Sequence, residues 1–197
     1  MEKSSQRIDR VVVLERHAGI REFLRDFLSR LVEVRTVDFA LDCGSAREIL
    51  CTSSRAVIIA DPLLAPFGAF DVLESTRRSH PGFDGRLIAY SHDEPGRIVT
   101  QMCHRTSSAL VSGCAPVDGL SKAVRAAAGR SDFFRHVHPE TIQPSETEYF
   151  ASLTPRRLAV LLLIARGYSV KEASLELQIT PKAVDSHLDR LRSALRI

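Results

Sequence analysis

Apolar positions in the first two thirds of the chain fall into short continuous runs, separated by stretches with helical spacing. Val11-Val12-Val13-Leu14 and Ala56-Val57-Ile58-Ile59-Ala60 have no polar interruption, as in strands covered on both faces. After the first run, Ile20, Phe23, Leu24, Phe27, Leu28 and Leu31 recur at three- and four-residue intervals, which predicts an amphipathic helix. Residues 31–37 alternate like a strand, and residues 46–51 suit a short helix. Beyond Asp61 the pattern predicts a helix over 70–79, a strand over 87–90 and a helix near 97–105. A strand over 109–112 and a helix over 117–128, stopped by Gly129, complete the series. Five β/α alternations in roughly 120 residues predict an α/β fold, a doubly wound parallel five-stranded sheet. Function in such sheets sits at the carboxyl ends of the strands. Here those ends carry Glu15-Arg16-His17, Asp61, Ser91 and Gly113.

The last part of the chain has the helical period alone, with clear start and stop signals. Thr154-Pro155 sets an N-cap before a proline at the first helical position, and Gly167 supplies the stop. Ser169-Val170-Lys171-Glu172 is a capping box that opens a short helix ending near Leu177. Gln178-Ile179 turns the chain, and Thr180-Pro181 opens a third helix with Val184, Leu188, Leu191 and Leu195 on one face. Two helices joined by a tight turn make a helix-turn-helix. A small all-α domain therefore follows the sheet. The expected boundaries are 8–130 for the α/β unit, 131–149 for a proline-containing linker and 150–197 for the helices.

Charge sharpens this division. The 197 residues hold 27 Lys+Arg and 24 Asp+Glu, a net of +3, with 44% hydrophobic and 26% charged residues. That composition is that of a globular chain. Residues 153–197 carry eight Lys/Arg against four Asp/Glu, a net of +4, and the remainder sums to −1. The longest apolar run, residues 158–165, is eight residues, far short of the ~18 needed to cross a bilayer. With the polar start MEKSSQRIDR this points to a cytoplasmic protein without membrane association. Cys43, Cys51, Cys103 and Cys114 form no CxxC pair and read as reduced thiols.

LTPRRLAVLLLIARGYSVKEASLELQITPKAVDSHLDRLRSALRI, residues 153–197, resembles the helix-turn-helix of LuxR/NarL-type transcription regulators. The opening LTPR, the VLLLIARG block, SVKEA, the ITPKAVDSH stretch and the closing leucines carry the likeness without a gap. The resemblance implies that the last helix enters the major groove and that the domain binds double-stranded DNA as a dimer on paired half-sites. It implies DNA contacts from Lys171, Thr180, Lys182, Asp185, Ser186, Asp189 and Arg190. Lys182, Ser186 and Arg190 form an i, i+4 stripe suited to phosphate or guanine. Asp185 and Asp189 occupy a neighbouring stripe, where the family commonly has basic or polar residues. A carboxylate there repels phosphate, and its best base partner is the cytosine amino group. His187 reads as a packing or capping histidine, and Arg156, Arg157 and Arg166 as solvated side chains.

The α/β unit, with this effector behind it, resembles a response-regulator receiver, which is flavodoxin-like. The resemblance implies a phosphoacceptor aspartate at Asp61, a hydroxyl at Ser91 and a first acidic residue at Glu15. Arg16 stands where a second acidic residue belongs, and Gly113 where a lysine is expected. Leu110 takes the place of an aromatic, and Ala65-Pro66 puts the proline one place late. Mg²⁺ needs several oxygen ligands, and a guanidinium in place of a carboxylate opposes its binding. Ordinary Mg²⁺-dependent phosphorylation of Asp61 is therefore not expected; a strand-end carboxylate in an ion pair is.

His136 and His138 read as linker surface, and Gly82, Gly85 and Gly96 as turns. No spacing suggests a catalytic triad, a metal site or a cofactor, so the chain reads as a regulator and not an enzyme. The expectation is a homodimeric transcription regulator whose receiver-like domain senses a related regulator or a small ligand. Two alternatives stand beside it. One is a protein-interaction regulator that forms heterodimers with a related regulator; the other is a conventional response regulator phosphorylated at Asp61.

Overall fold

The computed structural model describes residues 7–62, 68–91, 99–100, 103, 106, 108–112, 117–129 and 153–195. Five parallel strands form one sheet: β1 (Ile8–Leu14), β2 (Val34–Ala40), β3 (Arg55–Ala60), β4 (Asp84–Ser91) and β5 (Ala109–Ser112). Their spatial order is β2-β1-β3-β4-β5, with Leu14 in register with both Ala40 and Ala60. Helices α1 (Ala18–Ser29), α2 (Cys43–Leu50) and α3 (Gly68–Ser79) cross between strands, and α4 (Val117–Ala128) follows β5. This is the doubly wound five-stranded α/β fold that the alternation predicts.

Successive strand residues feed opposite layers, as the two-residue period requires. Val12, Leu14, Ile58, Ala60, Leu87 and Ala89 pack with Leu50 of α2 and Phe70 and Leu73 of α3. Val11, Val13, Val57, Ile59 and Ile88 pack on the other face with Leu24 and Leu28 of α1 and Leu120 and Val124 of α4.

Several boundaries differ from the sequence expectation for local reasons. β2 begins at Val34, not Leu31, because the chain is still leaving α1 there. Leu31 N–H donates to Leu28 O and Val34 N–H to Leu31 O. α2 begins at Cys43, not Ala46, because Asp42 caps it: its carboxylate accepts from Ser45 N at 2.8 Å, and Ser45 Oγ reaches back to Asp42 N. Gly85 marks no turn; it lies within β4, paired with Ala56. Phe23, expected on the buried face of α1, is 50% exposed and stacks on Phe27 with 6.1 Å between ring centroids. Of the helix expected over 97–105, Val99, Thr100 and Cys103 are helical and the rest lies outside the described residues. The expected linker, Ala65, Pro66, Gly96, Gly113, Cys114, His136 and His138 also lie outside them. Cys43, Cys51 and Cys103 are free thiols.

Three helices end the chain: α5 (Pro155–Ala165), α6 (Val170–Glu176) and α7 (Pro181–Leu195). Leu153, Val160, Leu163, Ala173, Leu177, Val184 and Leu191 form their own core. α5 also packs on α3, and Leu158 is buried in the same cluster as Phe70 and Leu73 of the α/β unit. Among the described residues no helix is long and apolar enough to cross a membrane.

Candidate nucleic-acid interface

The caps that open the last three helices form as the sequence implies. Thr154 Oγ1 accepts from Arg157 N at 3.3 Å, and Ser169 and Glu172 make both bonds of a capping box. Thr180 Oγ1 accepts from Ala183 N at 3.2 Å, so α7 starts on a satisfied amide. The turn between α6 and α7 is tight because Gln178 takes a positive φ of 52°, an uncommon backbone for a residue with a side chain.

α7 then presents two faces. Val184 and Leu191 are buried, with Leu188 packed against the same core. Lys182, Asp185, Ser186, Asp189 and Arg190 are all exposed, and so are Lys171 on α6 and the cap residue Thr180. The structure thus brings five of the seven sequence-predicted residues onto the exposed side of one helix, with Thr180 at its start. Asp189 is paired: Arg192 Nη1 lies 3.1 Å from its Oδ1. No described residue hydrogen-bonds or pairs with the Asp185 carboxylate.

His187 sits between the faces, half-buried, with Nδ1 buried and without a hydrogen-bond partner. It packs and does not cap. Burial, then the charges of Arg156, Arg190 and Arg157, hold its imidazole below the ordinary value of 6.5.

The junction between α3 and α5 holds a charged group that the spacing of the sequence did not reveal. Asp71 Oδ2 lies 3.2 Å from Arg47 Nη2, and Arg78 stands 4.0 Å from Oδ1. Burial raises the Asp71 carboxyl above its ordinary 3.8, against the opposing charges of Arg47, Arg156 and Arg78. Arg156 is accordingly not a solvated surface arginine: it is partly buried and donates from Nη2 to Leu177 O at 2.8 Å.

At the carboxyl ends of the strands, Glu15 and Asp61 directly follow the register partners Leu14 and Ala60. Glu15 is 7% exposed, and its Oε1 accepts from His17 N at 2.8 Å and contacts His17 Nδ1 at 2.8 Å. Arg21 Nη1 donates to the Glu15 and Arg16 carbonyls. Arg16 is exposed, and its charge helps hold Asp42 below the ordinary carboxylate value, after the stronger effect of the Ser45 hydrogen bonds. Asp61 is partly exposed and Ser91 is buried at the end of β4. Among the described residues no three His, Cys, Asp or Glu side chains converge to hold a metal ion.

Comparison with known proteins agrees with this geometry. Residues 151–197 match the family described as bacterial regulatory proteins, luxR family. The response regulator UvrY of Escherichia coli is 28% identical over 194 residues, covering 95% of this chain and 88% of UvrY. RcsB of Salmonella enterica serovar Typhimurium, solved bound to promoter rprA in the presence of phosphomimetic BeF3-, superposes with a TM-score of 0.68. That match is 18% identical and covers 96% of this chain and 93% of RcsB. A structure of two RcsB dimers bound to two parallel DNAs superposes with a TM-score of 0.61 at 19% identity, covering 96% of this chain and 93% of that one. The carboxy-terminal helices are a helix-turn-helix domain of the luxR family of bacterial regulatory proteins, carried on a chain homologous along nearly its whole length to response regulators.

Proposed function

We propose that this chain is a sequence-specific DNA-binding transcription regulator that acts as a dimer, with α7 as the helix that enters the major groove. The observation that carries the reading is the face of α7: Lys182, Asp185, Ser186, Asp189 and Arg190 exposed together, opposite a buried apolar seam. Side chains on one exposed face of a helix that fits the groove are what base and phosphate contact requires. RcsB, which shares the fold, is seen bound to a promoter and as dimers on DNA. Dimerisation has a physical reason. A domain of net +4 makes few phosphate contacts, and a second tethered copy raises the effective concentration without new contacts. Lys171 and Lys182 are assigned to phosphate, and Thr180 to phosphate through the proton of its cap hydroxyl.

The unit at 8–130 is proposed to act without Mg²⁺-dependent phosphorylation of Asp61. The donor set fits the metal poorly. The Glu15 carboxylate is occupied by the His17 backbone and ring, and the next residue is a cation where a second oxygen ligand belongs. Control then falls to a related regulator or a small ligand at the carboxyl ends of the strands, where Glu15, Arg16 and Ser91 stand.

Selection of binding sites from a random duplex library, followed by gel-shift titration at several salt concentrations, tests the main reading. A recovered palindromic motif supports it; no sequence preference at any salt sinks it. Lys182→Ala should weaken all sites alike and lower the salt slope by about 1. A mass shift after acetyl phosphate and Mg²⁺, abolished by Asp61→Asn, would restore conventional phosphorylation.

One observation favours a second reading. Two carboxylates on the exposed face of α7 suit a basic protein surface, as in a heterodimer with a related regulator. Asp185→Lys together with Asp189→Lys separates the two: tighter and broader DNA binding is expected only where that face approaches DNA.

A further inference from the structure

We infer that Asp185 is a specificity-determining residue that reads cytosine, so that each half-site carries a C·G pair at the position Asp185 faces. The inference rests on the DNA-binding reading of α7 and adds what that helix selects.

Three observations lead there. Asp185 follows Pro181 by one helical turn, and the amino-terminal residues of a recognition helix are those that reach base edges. Its carboxylate is exposed and engaged by no described residue, so nothing internal has to be broken for it to meet DNA. Asp189, the other acidic residue on this face, is already paired with Arg192 at 3.1 Å, and Ser193 Oγ donates to its carbonyl at 2.9 Å. Of the two carboxylates, Asp185 is the one with no described partner to give up.

The chemistry selects the base. An ionised carboxylate is an acceptor with no proton to give. In the major groove guanine presents two acceptors, N7 and O6, and thymine presents O4 and a methyl group. Adenine presents a donor beside the acceptor N7; cytosine alone presents only a donor, its N4 amino group. Asp185 therefore favours cytosine, tolerates adenine less well, and is repelled by guanine and thymine. The cost of bringing a carboxylate near phosphates is offset by Lys182 and Arg190, exposed on the same helix.

The test uses the full-length chain in three forms: wild type, Asp185→Asn and Asp189→Asn, each shown to be folded by far-UV circular dichroism. Each is taken through selection from the same random duplex library at one salt concentration. The wild type should return a cytosine at one position in each half-site. Replacing that C·G pair with T·A should weaken binding by about 5- to 150-fold, the worth of one good base contact. Asp185→Asn should move the preference at that position to adenine, which an amide matches at N6 and N7, and leave the other positions unchanged. Asp189→Asn should leave the cytosine in place. If the wild type selects a motif and Asp185→Asn returns the same cytosine, the inference fails while the DNA-binding reading stands. Loss of affinity for all sequences alike in Asp185→Asn overturns it too. If the wild type selects no motif, the DNA-binding reading fails and the inference with it.

Discussion

Replacing Leu158 with alanine removes a side chain that belongs to the helix-turn-helix but is buried in the core of the α/β unit. Leu158 is 2% exposed and shares a cluster with Phe70 and Leu73, which are both at 1% or below. Truncating a leucine in such a place costs about 2–5 kcal/mol, the transfer of the lost methyls plus the cavity left behind. Against a total stability of about 5–15 kcal/mol, that is a large fraction. Because the cavity opens at the junction of α3 and α5, the loss should fall on the coupling of the two units. Urea unfolding followed by far-UV circular dichroism should show a lower midpoint and a broadened or divided transition. Leu175, 71% exposed on α6, supplies the comparison: its alanine variant should change stability by less than about 0.5 kcal/mol. If Leu158→Ala behaves like Leu175→Ala, α5 does not dock on α3 and the shared core is refuted.

Four further outcomes are expected. Thr180→Ala removes the cap on Ala183 N and should cost about 0.5–2 kcal/mol in chemical denaturation, with Thr180→Ser restoring most of it. Gln178→Gly relieves the positive φ and should stabilise by about 0.5–1 kcal/mol after the entropy of glycine is counted; a loss in thermal unfolding would contradict the backbone assignment. Asp71 has a raised folded pKa, so its contribution is present below its unfolded pKa and is lost as pH rises through the folded value. Asp71→Asn should therefore gain on the wild type between acid pH and neutrality, and a constant difference across that range in pH-dependent melts would exclude it. His187 has a lowered folded pKa, so its contribution is present above pH 6.5 and lost as pH falls through the lowered value. His187→Gln should flatten that acid limb below pH 6.5 in the same melts.

The elements that the sequence displayed best are those fixed by contacts within a few residues. Thr154-Pro155, Ser169 with Glu172 and Thr180-Pro181 announce the starts of α5, α6 and α7, because a cap needs only its own first turn. The uninterrupted runs at β1 and β3 announce central strands for a different reason: helices cover both faces of the sheet, so neither face of these strands can be polar. What escaped was non-local. Leu158 lies in an apolar run of eight, and periodicity does not say which of its members faces a different domain. Nothing local in the sequence marks Asp71, because Arg47 and Arg156, whose charges act on it, are distant in sequence. The Asp42–Ser45 cap was visible in principle, as a short polar side chain three residues before a hydroxyl, but the run after it is weakly apolar. For α7 the exposed face followed from helical spacing, whereas the Asp189–Arg192 pair needed coordinates.

Asp71 and Asp185 are the same side chain put to opposite uses by water. At Asp71 solvent is displaced by the chain itself. The desolvation penalty outweighs three nearby guanidinium groups, and the carboxyl holds its proton more tightly than it would in water. Its effect is therefore part of folding and is readable in stability. At Asp185 the carboxylate stays in water, where a unit charge 4 Å away is worth only about 1 kcal/mol, and so it adds little to the fold. A partner that excludes that water lowers the effective dielectric and strengthens the contact with a base edge to about 1–3 kcal/mol, attractive toward a donor and repulsive toward an acceptor. A charge that costs the folded protein nothing can discriminate strongly on binding. For that reason Asp185 is proposed to serve recognition, whereas the effect of Asp71 at the α3–α5 junction is read in folding, although nothing in the overall charge distinguishes them.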